Sequence, residues 1–302
     1  MRIEANRRMP DGSVRIVVPF HICLKGLECA VLCRDDEDYD ALVKIIFLSA
    51  RACNVIVVIY IVLSNHYHVS VLAVSEESAD ACGLEIKRRY SMWVNHKYGE
   101  RGILLRAQSS ALPLNDRWHI RNALAYIPRN ALDNGCNIDT YQWSGYRAMF
   151  RSDGPENFRP VSGLTRREAK AIFHTGDILD GVPWLIDGQN ALVPRSACDY
   201  EYLEQAFEHD QAFFLKTIGS LNLAETRYAI EEKPFNMLPD SELLKAVNDE
   251  SRKWFGMDIG AMSLMKKYRL LPYVYRTYRT SVAQLARVFS ISREQISRLL
   301  ST

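Results

Sequence analysis

The N-terminal half of the chain alternates apolar, β-branched runs with segments of helical periodicity, and this alternation restricts the possible folds more than any other feature. Unbroken apolar runs predict buried strands, and acidic residues ahead of apolar positions spaced three and four apart predict helices. We predict strands at 14–24, 55–63, 66–74 and 103–108, and helices at 35–53, 75–98 and 115–132. The order of elements is therefore β-α-β-β-α-β, followed by one more helix.

This order is the split βαβ pattern of ferredoxin-like folds, so we expect an α+β domain built on an antiparallel sheet. Residues 152–165 contain two glycines and two prolines and predict the end of that domain. Beyond them the sequence is mostly helical, with helices predicted at 166–173, 199–220, 240–255 and 263–278. We therefore predict three domains, at 1–151, 152–262 and 263–302.

Charged residues are distributed unevenly, although 38 Lys+Arg and 36 Asp+Glu leave a net charge of only +2. Residues 1–151 carry +3, residues 152–251 carry −9 and residues 252–302 carry +8. Basic ends around an acidic middle indicate a polyanionic partner. The longest apolar run, 55–63, is far shorter than the roughly 20 residues of a membrane helix. We expect a soluble, cytoplasmic protein with no membrane partner.

The segment 282–299 has the pattern of a helix-turn-helix, with a turn across residues 289–291 and Ser292 placed to cap the second helix. Ser290 stands where this motif usually has glycine. Six residues occupy the expected core positions: Leu285, Ala286, Phe289, Ile291, Ile296 and Leu299. The second helix would present donors for base edges and phosphates in a major groove: Arg293, Gln295, Ser297 and Arg298. The alternative is an amphipathic hairpin that packs on the middle domain.

Two pairs of residues are candidates for phosphoryl-transfer chemistry. His66 and His68 lie two apart on a predicted strand, so both imidazoles share one face and can bind one metal ion. Tyr126 and Asn130 lie four apart on a predicted helix and also share a face. A tyrosine hydroxyl with a pKa of ~10 becomes a useful nucleophile beside a phosphate that a divalent ion polarises. The alternatives are core or surface histidines for the first pair, and a core-facing tyrosine with a helix-ending asparagine for the second.

Four segments resemble, in the right order, the conserved blocks of the single-tyrosine HUH transposases associated with repetitive extragenic palindromes (REP). FHICLKGLECAVLCRDDEDYDAL resembles the opening strand and helix, and LSNHYHVSVL resembles the histidine block. LAYIPRNAL resembles the tyrosine block, and TYQWSGYRAMF resembles the Trp-Ser block that follows it. The resemblance covers residues 14–150, about half the chain. Larger members of such families also carry a C-terminal helix-turn-helix, which fits residues 281–301.

The resemblance implies a role for each matching residue. His66, His68 and Asn130 would hold a divalent metal, Mg or Mn. Tyr126 would attack a phosphate of single-stranded DNA next to a hairpin and form a covalent 5′-phosphotyrosine. A basic cluster on the second helix would hold the DNA backbone, or would form a solvated basic face: Lys87, Arg88 and Arg89.

The family also implies a bacterial, nucleoid-associated protein that acts as a monomer or homodimer, with duplex DNA as a second partner through the tail. Three residues depart from the family pattern. Tyr67 replaces an aliphatic residue between the histidines, Pro128 follows Tyr126 by two positions, and Ala131 replaces a proline. A catalytically silent DNA-binding protein or regulator is therefore the second hypothesis. An HUH nuclease of replication or conjugation is the third.

Overall fold

The computed structural model describes residues 3–25, 31–100, 104, 107–151, 157–222, 226, 240–278 and 282–300. Contacts divide the chain into two units, Met1–Lys233 and Pro234–Thr302. The contacts resolve these two units only, so the predicted division into three domains stays a prediction. No helix in the described ranges is both long enough and apolar enough to cross a membrane.

The first unit is built on an antiparallel sheet, and its mixed α+β class is as expected from the sequence. Its strands are β1 (Ala5–Arg8), β2 (Val14–Lys25), β3 (Ile56–Val62), β4 (Tyr67–Ala73) and β5 (Gln108–Pro113). The long strand β2 pairs with β4 on one side and β5 on the other, and β3 lies beyond β4. β1 pairs with the first residues of β2. A separate ladder joins β6 (Arg159–Pro160) and β7 (Leu185–Ile186).

Seven described helices belong to the same unit. They are α1 (Asp36–Ala52), α2 (Glu76–Tyr98), α3 (Arg117–Asp133), α4 (Arg166–Phe173), α5 (Pro194–Ala197), α6 (Tyr200–Ala206) and α7 (Gln211–Ser220). The side chains of Asp35, Ser75 and Asp116 accept hydrogen bonds from backbone N–H groups in the first turns of α1, α2 and α3. These caps fix where the three helices begin.

Helices α2 and α3 lie on opposite faces of the sheet. α2 approaches β2 and β5 so closely that a Cβ on Gly83 would collide with Ser109 Oγ and press on Ile22. α3 packs against β3 and β4, where Tyr126 contacts His68. Side chains alternate along a strand, so His68 faces α3 while its neighbour Tyr67 faces α2.

Helices α4 to α7 complete the core of the first unit. Phe173, Tyr202, Phe207 and Phe214 belong to one buried apolar cluster with the strands and helices of the N-terminal half. This shared core explains why contacts place residues 157–222 with the N-terminal half, despite the composition change near residue 152.

Two details of the predicted secondary structure are wrong. The strand predicted at 103–108 is observed at Gln108–Pro113, and residues 101–103 and 105–106 lie outside the described residues. The helix predicted at 199–220 is two helices, because Glu208 and His209 adopt positive φ and Asp210 caps a new helix. The sequence analysis also missed the hairpin of β1 and β2, whose turn places Gly12 at φ 85°.

The second unit contains four described helices with their own core. They are α8 (Asp240–Phe255), α9 (Leu264–Tyr278), α10 (Val282–Phe289) and α11 (Arg293–Leu300). Its buried side chains include Leu243, Val247, Leu270, Leu271, Leu285, Phe289 and Ile296. The helices predicted at 240–255 and 263–278 are confirmed, and so are two short helices in the tail.

Candidate histidine–tyrosine site

Strand register brings buried polar side chains together beneath α3. Cys23 of β2 pairs with His68 of β4, and His21 pairs with Ser70. All four residues share the sheet face that α3 covers, because paired and alternate positions point the same way. His21 is 0% exposed and His68 is 3% exposed, so both imidazoles lie within the core.

The imidazoles of His21 and His68 contact each other directly. Nε2 of His21 lies 3.1 Å from Nδ1 of His68, and the rings are stacked with centroids 5.2 Å apart. One of these nitrogens must donate and the other accept, since a neutral imidazole carries one N–H. The direction of this hydrogen bond therefore determines which ring nitrogen of His68 can accept or bind another group.

His66 lies at the turn that leads into β4. The turn is closed by Leu63 N–H, which donates to the carbonyl of His66 at 2.8 Å. Nδ1 of His66 lies 2.6 Å from the side-chain oxygen of Asn65, to which it donates. The ring of His66 is nearly perpendicular to that of His68, with centroids 4.9 Å apart.

Tyr126 of helix α3 packs against His68 of the sheet. Its ring contacts His68 edge-on, with centroids 5.2 Å apart, although 58 positions separate the two residues in the sequence. The side-chain amide nitrogen of Asn130 donates to the Tyr126 carbonyl at 2.8 Å. Helix α3 continues through Pro128 to Asp133, so the proline leaves Tyr126 and Asn130 on one helix.

The donor set fits a metal ion only in part. His66 and His68 each have Nδ1 within hydrogen-bond distance of a neighbouring side chain, as metal-binding histidines usually do, so Nε2 is the nitrogen that a metal would take. Asn130 adds an amide oxygen on the same side of α3 as Tyr126. Within the described residues, no group of three or more His, Cys, Asp or Glu side chains is arranged to hold a metal. Water or phosphate oxygens would have to complete the coordination sphere.

The site is closed in this structure. Tyr126 is 1% exposed and Asn130 is 2% exposed, whereas His66 is half-buried at the edge of the cluster. A cleft of about 860 Å³ lies elsewhere in the unit, beside Asp36, Trp143 and Arg147, and none of the candidate site residues lines it. A DNA phosphate cannot reach Tyr126 in this arrangement of α3 and β4.

Tyr67 is placed on the other side of the sheet from this cluster. It is 1% exposed, and burial raises the pKa of its hydroxyl far above the usual value. A phenol in that environment is a poor nucleophile, because its reactive anion is disfavoured. Its place on the opposite face of the sheet separates Tyr67 from the candidate site at Tyr126.

The predicted DNA-contact residues of α2 are already engaged in ion pairs and hydrogen bonds. Lys87 donates to the carbonyl of Ala107 at 2.7 Å. Arg88 and Arg89 both pair with Glu85, and Arg89 also pairs with Asp177 at 2.7 Å. Only Arg88 is exposed, so this face offers one accessible guanidinium rather than three free cations.

The tail residues predicted to contact DNA lie on α11. Arg293, Gln295 and Arg298 are exposed, and the side chain of Ser297 lies outside the described residues. The Gln295 side-chain oxygen lies within hydrogen-bond distance of Ser292 N–H and Oγ, and Ser292 Oγ accepts from Gln295 N–H at 3.3 Å. This reciprocal pair is a capping box, so the predicted cap at Ser292 is confirmed and Gln295 serves it in this conformation.

Sequence reasoning missed His21, the residue that contacts His68. The signal was present in the segment FHICLKGLECAVLCRDDEDYDAL, which places a histidine in an otherwise apolar strand. Its partner was not predictable from spacing, because the contact depends on how β2 pairs with β4.

Comparison of the chain with protein-family models, with curated proteins and with solved structures gave no match.

Proposed function

We propose that this protein is an HUH-type, single-tyrosine endonuclease and strand transferase that acts on single-stranded DNA next to a hairpin. The observation that carries the proposal is the contact of Tyr126 with His68 at 5.2 Å between ring centroids. Both residues are candidates for phosphoryl-transfer chemistry in the sequence, and the family resemblance assigns them to one site.

The proposed reaction conserves the phosphodiester bond energy. The Tyr126 hydroxyl loses its proton to solvent and its oxygen bonds to the phosphorus, while the bond from phosphorus to the 3′ oxygen breaks. The departing 3′ oxygen takes up a proton, and the 5′ phosphate stays on Tyr126. A divalent ion, Mg or Mn, would polarise the phosphate when bound. His66, His68 and Asn130 are the side chains that would hold it, and attack by a free 3′ hydroxyl reverses the step and rejoins the strand.

The order of the four main strands supports the ferredoxin-like HUH fold as part of this proposal. The order β5-β2-β4-β3, with α1 after β2 and α2 after β4, is the arrangement of a split βαβ domain with an antiparallel sheet. In that domain β4 is a central strand. A histidine pair at its start can therefore meet a tyrosine from a helix on one face.

The pair α10 and α11 supports a helix-turn-helix that contacts duplex DNA. Ser290 adopts φ 54° in the turn, which is why this position usually holds glycine. The basic tail, with charge +8 over residues 252–302, favours binding to a polyanion. We propose this segment as the duplex-binding part of a bacterial, nucleoid-associated protein that acts as a monomer or homodimer.

The proposal is tested by incubating the full chain with a screened set of labelled hairpin oligonucleotides and Mg or Mn. We expect a protein–DNA adduct that survives denaturation and requires the metal. Tyr126→Phe should abolish it, whereas Tyr67→Phe should retain it, because Tyr67 lies on the other face of the sheet. An adduct that persists in Tyr126→Phe would contradict the proposal, as would its absence from wild type.

A second candidate function is a catalytically silent DNA-binding protein. The near-complete burial of Tyr126 and His68 favours it, since a nucleophile must reach its phosphate. Hairpin binding by wild type without any adduct, and with equal affinity in Tyr126→Phe, would establish this candidate.

A further inference from the structure

His21 is a fully buried histidine in the middle of a central strand. It is 0% exposed, and its Nε2 lies 3.1 Å from Nδ1 of His68. Polar rings in a protein core are costly unless their nitrogens are hydrogen-bonded. An apolar residue would be the ordinary choice at a fully buried strand position, and the adjacent residues Phe20 and Ile22 are both buried and apolar.

The backbone holds His21 firmly in place. β2 pairs with β4 at Ser70 and with β5 at Leu112, so the strand carrying His21 has neighbours on both edges. His68 lies two residues from Ser70 along β4, and its ring therefore lies diagonal to that of His21 on the same face. His21 therefore contacts His68 from the Ser70 side of β4, away from the turn that carries His66.

The direction of the hydrogen bond decides what His68 can do. If Nδ1 of His68 donates to Nε2 of His21, then Nε2 of His68 carries a lone pair and can bind a metal. If Nε2 of His21 donates instead, then His68 holds its proton on Nε2 and cannot. His66 provides a matching case, because its Nδ1 donates to the oxygen of Asn65 at 2.6 Å.

We propose that His21 is a positioning residue for the metal site: its Nε2 accepts the Nδ1 proton of His68 and so presents Nε2 of His68 as a ligand. This inference rests on the proposed function, because it assigns His21 to the metal ligand of that site. His21 itself touches neither the metal nor the DNA. Partners of this kind typically change metal affinity 10- to 100-fold when they are removed.

Two substitutions separate positioning from packing. In His21→Gln, the side-chain oxygen can accept the same proton from His68. In His21→Leu, a side chain of similar size offers no acceptor. We expect Mn²⁺ affinity of the full chain to fall 10- to 100-fold in His21→Leu and to stay within about threefold of wild type in His21→Gln.

The tautomer of His68 is a second measurement, which needs neither metal nor DNA. Long-range ¹H–¹⁵N spectra of the ¹⁵N-histidine-labelled chain report which ring nitrogen is protonated, and loss of signals in His68→Gln assigns them. We expect His68 to be protonated on Nδ1 in wild type and in His21→Gln. In His21→Leu, the two tautomers should become mixed.

Protonation of His68 on Nε2 in the wild-type protein would overturn the inference, even if no variant folded. Unchanged Mn²⁺ affinity in a folded His21→Leu would overturn it as well, and so would absence of Mn²⁺ binding by wild type. An absent DNA adduct with intact Mn²⁺ binding would refute only the proposed function. The two failures are therefore distinguishable.

Discussion

Asp38 of α1 is a buried carboxylate that several hydrogen bonds hold in place. Its carboxylate accepts from Arg34 N–H, Trp93, Tyr98 and Lys97, at 2.8 to 3.0 Å. Burial alone would raise the pKa of Asp38, but these donors outweigh it and hold the pKa below its usual value. One carboxylate thus joins α1 to α2 at the side of the sheet away from α3.

Replacing Asp38 with alanine should strongly destabilise the first unit. The change leaves the buried indole N–H of Trp93 and the ammonium of Lys97 without this acceptor, so the free energy of unfolding should fall by about 2 to 4 kcal/mol. Asp36→Ala is the matched control, because Asp36 lies in the same first turn but is exposed, and should change stability by no more than about 0.5 kcal/mol. Equal effects in urea unfolding would contradict the role of Asp38.

Glu85 should make stability depend on pH in the acid range. Hydrogen bonds from Arg88, and then from Arg89, outweigh partial burial and lower the pKa of Glu85 to about 2. Because the folded pKa lies below the unfolded value of about 4.3, the contribution is complete above that value and is lost as pH falls towards 2. Glu85→Gln should cost about 1 kcal/mol at pH 7, allowing for solvent screening, and almost nothing near pH 2. Urea unfolding at several pH values measures this, and a cost that does not change with pH would contradict it.

Helix α3 shows how one element carries the candidate site. It contributes Tyr126 and Asn130 on the face towards β4, while Arg121 and Arg129 on other faces donate to backbone carbonyls of residues 206 and 218. The helix is therefore held between the sheet and α6 with α7. This packing holds α3, and with it Tyr126, against β4.

The turn between α10 and α11 provides a test at the scale of an element. Ile291 N–H donates to the carbonyl of Ala286 at 3.2 Å across Ser290, which has φ 54°. This is the hydrogen bond of a Schellman turn, where glycine avoids the strain of a left-handed backbone. Ser290→Gly should stabilise the helix pair by about 0.5 to 1 kcal/mol. We expect to measure this as slower amide hydrogen exchange in α10 and α11.

The neighbouring substitution Ser292→Ala should act in the opposite direction. It removes the cap that accepts from Gln295 N–H and should destabilise α11 by about 1 kcal/mol. Faster exchange in Ser290→Gly, or unchanged exchange in Ser292→Ala, would contradict the description of this turn.

Elements whose signal is local were predictable from the sequence. The apolar run of β3 and the acidic starts of α1 and α2 gave bounds close to those observed. β5 was misplaced because its residues, Gln108 to Pro113, become a strand through pairing with β2 rather than through their own apolar pattern. The break between α6 and α7 was missed because two non-glycine residues, Glu208 and His209, adopt positive φ there.

The candidate site was predictable only in part, because its contacts join residues that lie far apart in the sequence. His66, His68, Tyr126 and Asn130 were identified from motifs; all but His66 are buried, and Tyr126 of α3 contacts His68 of β4. The contact of His68 with His21 depends on strand register, which no spacing along the chain reveals. Contact of Tyr126 with His68 likewise depends on how α3 packs on the sheet.

At the scale of the whole molecule, the net charge of +2 is the sum of +3 over residues 1–151, −9 over residues 152–251 and +8 over residues 252–302. If the tail binds duplex DNA, its exposed arginines should set the salt dependence of binding. Arg293→Ala and Arg298→Ala should each weaken duplex binding and lower the salt slope by about one. Arg252→Ala is the control, because this exposed arginine of α8 pairs with Asp258. An equal loss in all three variants would contradict a specific role for α11.

The most direct test of the central proposal is to identify the residue that becomes linked to DNA. Cleavage after lysine and arginine places Tyr126 in the peptide 122–129, where it is the only tyrosine, and places Tyr67 in the separate peptide 52–87. After reaction with a hairpin oligonucleotide and Mn²⁺, digestion and mass spectrometry should find the nucleotide on Tyr126. A nucleotide on any other tyrosine, or none at all across the screened hairpins, would contradict the proposed function.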